Sequence, residues 1–598
     1  MSSTRRLLGF FSLCGAIALS LGPPVVGHAQ VLTIGSPNVA VADPLIPRPP
    51  TVPCAVTLFT NQEFADFNSK PFTFTPAPSC PGPWQKVVLS ADYNVTTGRQ
   101  FDRTAEIWLG GAIIYFGTTE EPSSTVAPSW HIERDLTDYS ALFTQAQTGH
   151  ADLGNFVGTD SGVDYTGIYY GSATLYFYPV VGGVRQGELQ PRPDEVLSLN
   201  SDPTAGTATL NKPGDQFVAN FASLPTNIER AFLDVYAQGQ SADEFWYFNL
   251  PNDIAAVFED NTGTAYRETL VTIDGQPAGI APIFPWIFTG GADPLLWRPI
   301  PGVQTLAFEA YRVDLTPFAG KLNDGKPHAL AVSVYNSTNY FSVAGNLLLY
   351  LDHGASQVTG NVISNSLSAT PVVNAVENVV QPDSTDASGT VLVTSNRQYE
   401  IVGSVNTSHG TVTTQVDVTM GFSSNQTLAT SNTEYVQDTV QNTQISVTTT
   451  RVSGDDVSVV QEQRVYPLTF DYEDKVASDG TESLYTFVDQ ELQQQLGFGA
   501  QGGHADTATR DNHVVTTVTR HFDASGNQVD APSSSAQLYN YADPYGACYG
   551  REITAQNELL TGAADGLDCA AGVNVLGWRD RFSQAASRFN GATIQLLP

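Results

Sequence analysis

The chain has 598 residues, 60 acidic against 27 basic, and a formal charge of −33, with 15 % of residues charged. Such a length holds about three or four domains and a sizeable core. So acidic a balance, with no basic patch, excludes nucleic acid and anionic membrane surfaces as partners. A surface built on Ser, Thr, Asn and Gln has few ion pairs to lose in acid, so acid tolerance is expected, although low charge is also ordinary among exported β-proteins.

Residues 1–29 fit a secretory signal. Arg5 and Arg6 open it, Leu7 to Leu21 form its apolar core, and Gly27-His28-Ala29 stand at the cleavage positions before Gln30. The apolar run is short for a membrane span, and no later stretch is long and apolar enough to cross a bilayer. The mature chain, at about −35 without the two arginines, is therefore expected to be secreted, extracellular or periplasmic. Cys14 leaves with the signal, and Cys54, Cys80, Cys548 and Cys569 remain, an even number for an oxidising compartment. Proximity suggests Cys54–Cys80 and Cys548–Cys569 among three possible pairings. Paired cysteines leave no thiol nucleophile.

Residues 30–53, rich in Pro and Val, read as an extended lead-in. From 54 to 180, short β-rich runs such as Lys86–Ser90, Ile113–Phe116 and Ser172–Pro179, broken by Gly, Pro and Asn, point to a β-sandwich. Within it Gly98–Gly111 reads as a strand with an acid in its middle. Phe101, Arg103, Ala105, Ile107 and Leu109 share one face, and Asp102, Thr104, Glu106 and Trp108 the other. Asp is a poor strand former. A carboxylate near an indole suits a sugar site, where the acid takes a proton and the ring covers an apolar sugar face. An Asp-Arg pair on a strand is equally what a solvated face or a structural ion pair presents. Glu121-Pro122 and Trp130–Tyr139 are site loops or turns packed by Trp130.

A second β-sandwich is expected over 205–355, with strands at Ala231–Tyr236, Ala331–Tyr335 and Asn346–Leu351. Its segment Ser241–Asn252, taken as a strand, puts Glu244, Trp246 and Phe248 on one face, which again suits either a sugar site or a core edge. Trp286–Pro299, with two Trp and the pair Gly290-Gly291, reads as a rigid aromatic loop, a carbohydrate platform or an interdomain plug. Over 358–598 Thr, Ser, Val, Asn and Gln dominate. Val412–Met420, Ile445–Arg451 and Val514–Arg520 alternate as long antiparallel strands with one wet face, and only Ser483–Leu496 and Asp580–Phe589 read as helical. Asn94, Asn336, Asn406 and Asn425 open glycan sequons.

The chain carries no Gly-x-Ser-x-Gly elbow, His-Glu-x-x-His, phosphate loop or dinucleotide fingerprint, and the spacing of His504, His513 and His521 fits no zinc pattern. Acids remain as catalysts.

Gly98–Arg103, Trp108–Gly111, Glu121-Pro122, Leu153–Asn155, Tyr165–Tyr169, Asp243–Tyr247, Phe288–Gly291 and Asp293–Pro299 together resemble the peptide-N-glycosidase A family. The match runs in order from about Cys54 to Gly354 and extends more weakly through Asn396–Tyr399 and Ser408–Gly410. A fainter likeness reaches peptide-N-glycosidase F. The resemblance implies an all-β fold, two consecutive jelly-roll-like β-sandwiches followed by a β-rich C-terminal domain. It implies hydrolysis of the amide joining Asn to the first N-acetylglucosamine of an N-glycan, with tolerance of core α1,3-fucose and activity in acid. It implies N-glycosylated peptides or proteins as partners and no metal or organic cofactor. By the same likeness Asp102 is the expected base and Glu244 positions substrate or moves a proton. Arg103, Trp108, Asn155, Trp246 and Trp297 are candidate substrate contacts, Asn155 standing near where peptide-N-glycosidase F has a third essential acid. An endo-β-N-acetylglucosaminidase and a non-catalytic carbohydrate-binding β-protein are the competing expectations.

Overall fold

The computed structural model describes residues 31–180, 191–500, 506–544 and 547–566, with Cys569 and Asn574. The expected signal at 1–29 and the helical reading at Asp580–Phe589 lie outside them. Strand dominates the described residues, the helical segments are all short, and no helix among the described residues is long and apolar enough to cross a membrane.

Eight strands build the first sandwich: Cys54–Phe64, Lys70–Phe74, Trp84–Val95, Thr104–Leu109, Ala112–Thr118, Ser129–Asp135, Gln147–Asp152 and Tyr169–Pro179. In sheet order, the first, eighth, third and sixth face the second, seventh, fourth and fifth. Alternation places Val87, Leu89 and Ala91 of one sheet against Ala105, Ile107 and Leu109 of the other in one core. The second sandwich repeats this winding. Glu195–Ser198, Tyr311–Asp314, Ile228–Gly239 and Phe341–Leu351, with the short Ala208–Leu210 added on the last, make one sheet, and Phe217–Phe221, Glu268–Ile273, Gln276–Pro282 and His328–Val334 the other.

The two sandwiches lie side by side. Asn346 brackets the backbone of Ile113, donating to its carbonyl at 2.8 Å and accepting its N–H at 3.3 Å. Partly buried Arg312 holds Asp234 of its own sheet and Asp138 of the first sandwich. Gln240, at the end of Ile228–Gly239, donates to Thr104 Oγ at 3.0 Å. That strut ties the residue two beyond Asp102 to the residue four before Glu244.

The third body is a twelve-stranded antiparallel sheet from Thr359 to Asp565. Its central strands, such as Gly410–Thr430 and Asp456–Val476, are 21 residues long, about 70 Å at the usual rise. They alternate as the sequence requires, with Val412, Val416, Val418, Met420 and Phe422 all turned inward. Ser483–Leu496 is not helical; it belongs to the strand Glu482–Ala500, paired on both sides. Its inward positions include Gln490 and Gln494 as well as Val488 and Leu492, so polarity masked the alternation. Pairing with two long neighbours overrides the helix preference of a Gln-rich run. Gln490 spans the interface, donating to Pro285 O at 2.7 Å and accepting Val303 N–H at 2.8 Å.

The lead-in is a strap. Ala40 bonds Pro299, Ala42 bonds Gln537 and Ile46 bonds Glu133. Disulfides join Cys54 to Cys80 and Cys548 to Cys569, the pairing that proximity suggested.

Candidate active site

The strand expected over Gly98–Gly111 begins only at Thr104, so Asp102 stands on the loop that feeds it. The backbone there is committed elsewhere. Arg99 O accepts the N–H groups of Thr166 and Gly167, Arg103 N–H goes to Thr119 Oγ, and Asp102 N–H goes to Glu121 Oε1 at 3.1 Å. A carboxylate, not a neighbouring strand, thus takes the Asp102 amide. Glu121 arrives by register. The strands turn at Gly110-Gly111 and pair Thr104 with Thr118, which carries Asp102 and Glu120-Glu121 out at the same end. The sequence signal for this is a hairpin about Gly-Gly, and of the two readings of Glu121-Pro122, site loop or packed turn, the geometry favours the site loop.

Glu244 does not lie on a strand. Two single-turn 3-10 segments, Ser241–Asp243 and Trp246–Phe248, flank it. The turn is pinned by Asp243, which accepts Arg267 Nη2 at 2.8 Å and the N–H groups of Thr338 and Asn339. The third wall is the loop carrying Gly290. A Cβ on Gly290 would stand 2.3 Å from Glu121 Oε1 and 2.8 Å from Asp102 Oδ1. Only glycine lets this backbone approach two carboxyl groups so closely. Thr289 anchors the loop by donating to Thr119 O at 2.6 Å. The large sheet backs both loops: Arg520 holds Asp293, Thr516 donates to Leu296 O, and Gln437 donates to Phe248 O.

Gly290→Ala is therefore expected to displace Asp102 and Glu121 and to lower kcat about 100-fold, the usual effect of a 1 Å misplacement, while Tm changes little. Steady-state kinetics beside thermal unfolding read both.

The electrostatics follow from crowding acids in a partly closed space. Burial raises the Asp102 carboxyl well above its usual range, the charges of Glu121 and Glu244 raise it further, and Arg103 opposes them. Burial also raises Glu121, against the Asp102 N–H and Arg298, whose Nη2 stands 3.8 Å away. Glu244 is pushed up to about 7 by burial and by Glu121. Glu120, 2 % exposed and with Oε1 unpartnered among the described residues, is pushed up to about 8 by burial, with Glu121 and Asp102 adding to it against Arg298.

A carboxyl raised in the folded state binds its proton more tightly there than in the unfolded chain. Its stabilising effect is full below the unfolded value of 4.5 and is lost as pH rises toward the folded value near 8. Glu120→Gln should remove that dependence. The Tm difference between variant and wild type should grow in the variant's favour from pH 5 to pH 8, and a flat difference would contradict the assignment.

The other expected site residues lie elsewhere. Trp108 is buried, its indole bonded to Glu106 Oε2 at 2.7 Å, and Trp297 is buried with its indole on Gly291 O. Trp246 is also buried. None offers an open face to a sugar; all three belong to one large apolar core. Asn155 is buried behind the Asp102 loop, donating to Phe64 O and Gly167 O at 3.1 Å, which makes it a scaffold for that loop rather than a substrate contact. Arg103 donates to Gln100 Oε1 at 2.6 Å and reaches Asp102 by charge alone. Trp286 packs on Phe308, which meets Phe116 of the first sandwich edge-on, so this end of the aromatic loop is packed against the seam between the two sandwiches. His513 and His521 bond separate acids, Asp489 and Asp530, and His504 lies outside the described residues.

Among the described residues one group, Glu229, Asp352 and His409, has ligand atoms close enough to share a metal ion. Asp352 already accepts Ser408 and Gly354 N–H groups, and Arg451 stands 3.6 Å from Glu229, so the group works as a clasp between the second sandwich and the large sheet.

A family model described as peptide N-acetyl-beta-D-glucosaminyl asparaginase amidase A matches residues 44–368. Over 537 residues the chain is 29 % identical to the peptide-N4-(N-acetyl-beta-glucosaminyl)asparagine amidase A of Prunus dulcis, covering 86 % of this chain and 89 % of that one. Among solved structures it is similar to PNGase F, a glycosylasparaginase from Flavobacterium meningosepticum, at 13 % identity and a TM-score of 0.33, covering 50 % of this chain and 96 % of that one. It is also similar to PNGF-II, at 13 % identity and a TM-score of 0.34, covering 50 % and 65 %.

Proposed function

The chain belongs to the peptide N-acetyl-beta-D-glucosaminyl asparaginase amidase A family, and from that membership we propose that it hydrolyses the amide between an asparagine side chain and the first N-acetylglucosamine of an N-glycan. The observation that supports this reading is the meeting of Asp102 and Glu121 against the Gly290 backbone, with Glu244 of the second sandwich close enough for its charge to act on Asp102 and to feel that of Glu121. Asp102 and Glu244 are only partly buried, so substrate can reach them.

In this reading water attacks the carboxamide carbon of Asn and Asp102 takes its proton. A carboxylate whose affinity for protons is raised by neighbouring charge is the stronger base once ionised. Burial is the main cause of that rise in Asp102, and Glu121, when ionised and braced by the Asp102 N–H and Arg298, adds to it. Glu244 carries a proton through acid and neutral pH, steadies the oxygen as it gains charge, and supplies the departing nitrogen. The C–N bond breaks. The peptide leaves with Asp in place of Asn, and the glycan leaves as a glycosylamine that decays to ammonia and a reducing sugar. The chain's own groups suffice for each step.

Because Glu244 acts protonated, kcat should fall as pH rises through about 7, and Glu244→Gln should lower kcat about 100-fold and erase that limb. Activity in acid rests on the family likeness, since Asp102, whose carboxyl burial raises, must be ionised to act as base. Tolerance of core α1,3-fucose rests on the family likeness, and equal cleavage of a fucosylated and a plain glycopeptide checks it. Export rests on the two disulfides, which fit an oxidising compartment.

The mass of the peptide product tests the reaction. An amidase leaves Asp with no sugar. A peptide that keeps one N-acetylglucosamine would make the protein an endoglycosidase, and an uncleaved but retained glycopeptide would make it a binding protein.

A further inference from the structure

Beside the carboxylates lies an apolar feature that the hydrolysis does not use. Phe101, the residue before Asp102, is 43 % exposed and Phe156 is 36 % exposed. Tyr165 joins them, its ring centroid 5.5 Å from that of Phe101 and 5.9 Å from that of Phe156. Phe67, 72 % exposed, continues the patch where it lies against Gly154. Contiguous exposed rings of this kind mark a contact surface.

The ridge is built into the site. Gln100 Nε2 donates to Phe156 O at 2.8 Å and to Gly167 O at 3.2 Å, and Tyr169 donates to Phe101 O at 2.7 Å. The rings are thus fixed relative to the Asp102 carboxyl. Their geometry selects the ligand. They meet at 50° and 69° and present no continuous flat face. The Arg99 guanidinium lies 5.9 Å from the Phe101 centroid and 5.6 Å from that of Tyr165, and Arg103 lies 5.9 Å from Phe101. A sugar stacks on an open aromatic face. Tilted rings whose faces lie near guanidinium groups leave only edges and partial faces, which suit an apolar side chain better than a stacked sugar.

We propose that this ridge is a peptide subsite that takes an apolar side chain next to the glycosylated Asn. The proposal rests on the amidase reading. The reacting carbon of Asn is two bonds from the peptide backbone, so flanking side chains fall within a residue's reach of Asp102, where the ridge stands.

Two glycopeptides with one glycan, flanked at Asn by Leu or by Ser, test it with the wild-type protein and with Phe156→Ala and Phe156→Ala/Tyr165→Ala. The wild type should favour the Leu peptide by about tenfold in kcat/KM. The variants should lose that preference through a fall on the Leu peptide, at unchanged Tm. Equal falls on both peptides, a surviving preference, or a loss that follows glycan size at constant peptide would overturn the subsite. Absence of any wild-type turnover would remove the amidase reading, and the subsite with it.

Discussion

Asp102→Asn is expected to lower kcat by about 100- to 10,000-fold, the range that a positioned base contributes, with KM nearly unchanged. The same substitution should raise Tm at neutral pH. Asp102 is held among acids in a space that opposes its ionisation, so a neutral isostere relieves repulsion that the fold otherwise tolerates. Loss of turnover with a gain in stability separates a catalytic group from a structural one, for which both would fall together. Residual activity within tenfold of the wild type would show that another group takes the proton, and Glu121, whose Oε1 accepts the Asp102 N–H, would be the first to test.

Asp243→Ala should destabilise the protein by about 3–5 kcal/mol, because it strands a buried guanidinium. The side chains of Asp243 and Arg267 are both 0 % exposed and meet at 2.8 Å. The same carboxylate closes the turn before Glu244 on Thr338 and Asn339, so turnover should fall with stability. The double variant Asp243→Ala/Arg267→Met should recover part of the loss, since it removes the uncompensated charge. Chemical denaturation of the single and double variants measures both, and a single-variant loss below about 1 kcal/mol would contradict a buried pair.

Much of the fold could be read from alternation. Lys86–Ser90, Ile113–Phe116, Ala231–Tyr236 and Asn346–Leu351 all lie within observed strands, as short apolar runs bounded by turn residues and buried on both faces, while Val412–Met420 shows the period of two. Ser483–Leu496 could not be read this way, because Gln490 faces inward to satisfy backbone groups of the second sandwich and Gln494 faces inward to meet Glu462 and Arg510 of its own sheet. Asp102 and Glu244 drew attention as acids among aromatics, yet that pattern misplaced the aromatics themselves. Trp108, Trp246 and Trp297 are interior packing, whereas the exposed rings are Phe101, Phe156 and Tyr165. A one-dimensional pattern reports side-chain type, not which face a loop shows to solvent. Glu121 was within reach, because a hairpin at Gly110-Gly111 fixes its neighbour. Gly290 was not, because its role depends on a contact about 170 residues away in sequence with Glu121, and a glycine beside another glycine reads as a turn.

The most direct test of the account is hydrolysis of a defined N-glycopeptide in water enriched in oxygen-18, followed by mass spectrometry of both products. Attack on the side-chain carboxamide places one heavy oxygen in the new Asp of the peptide, beside release of the whole glycan. A heavy oxygen found on the sugar, with the peptide retaining N-acetylglucosamine, would contradict it.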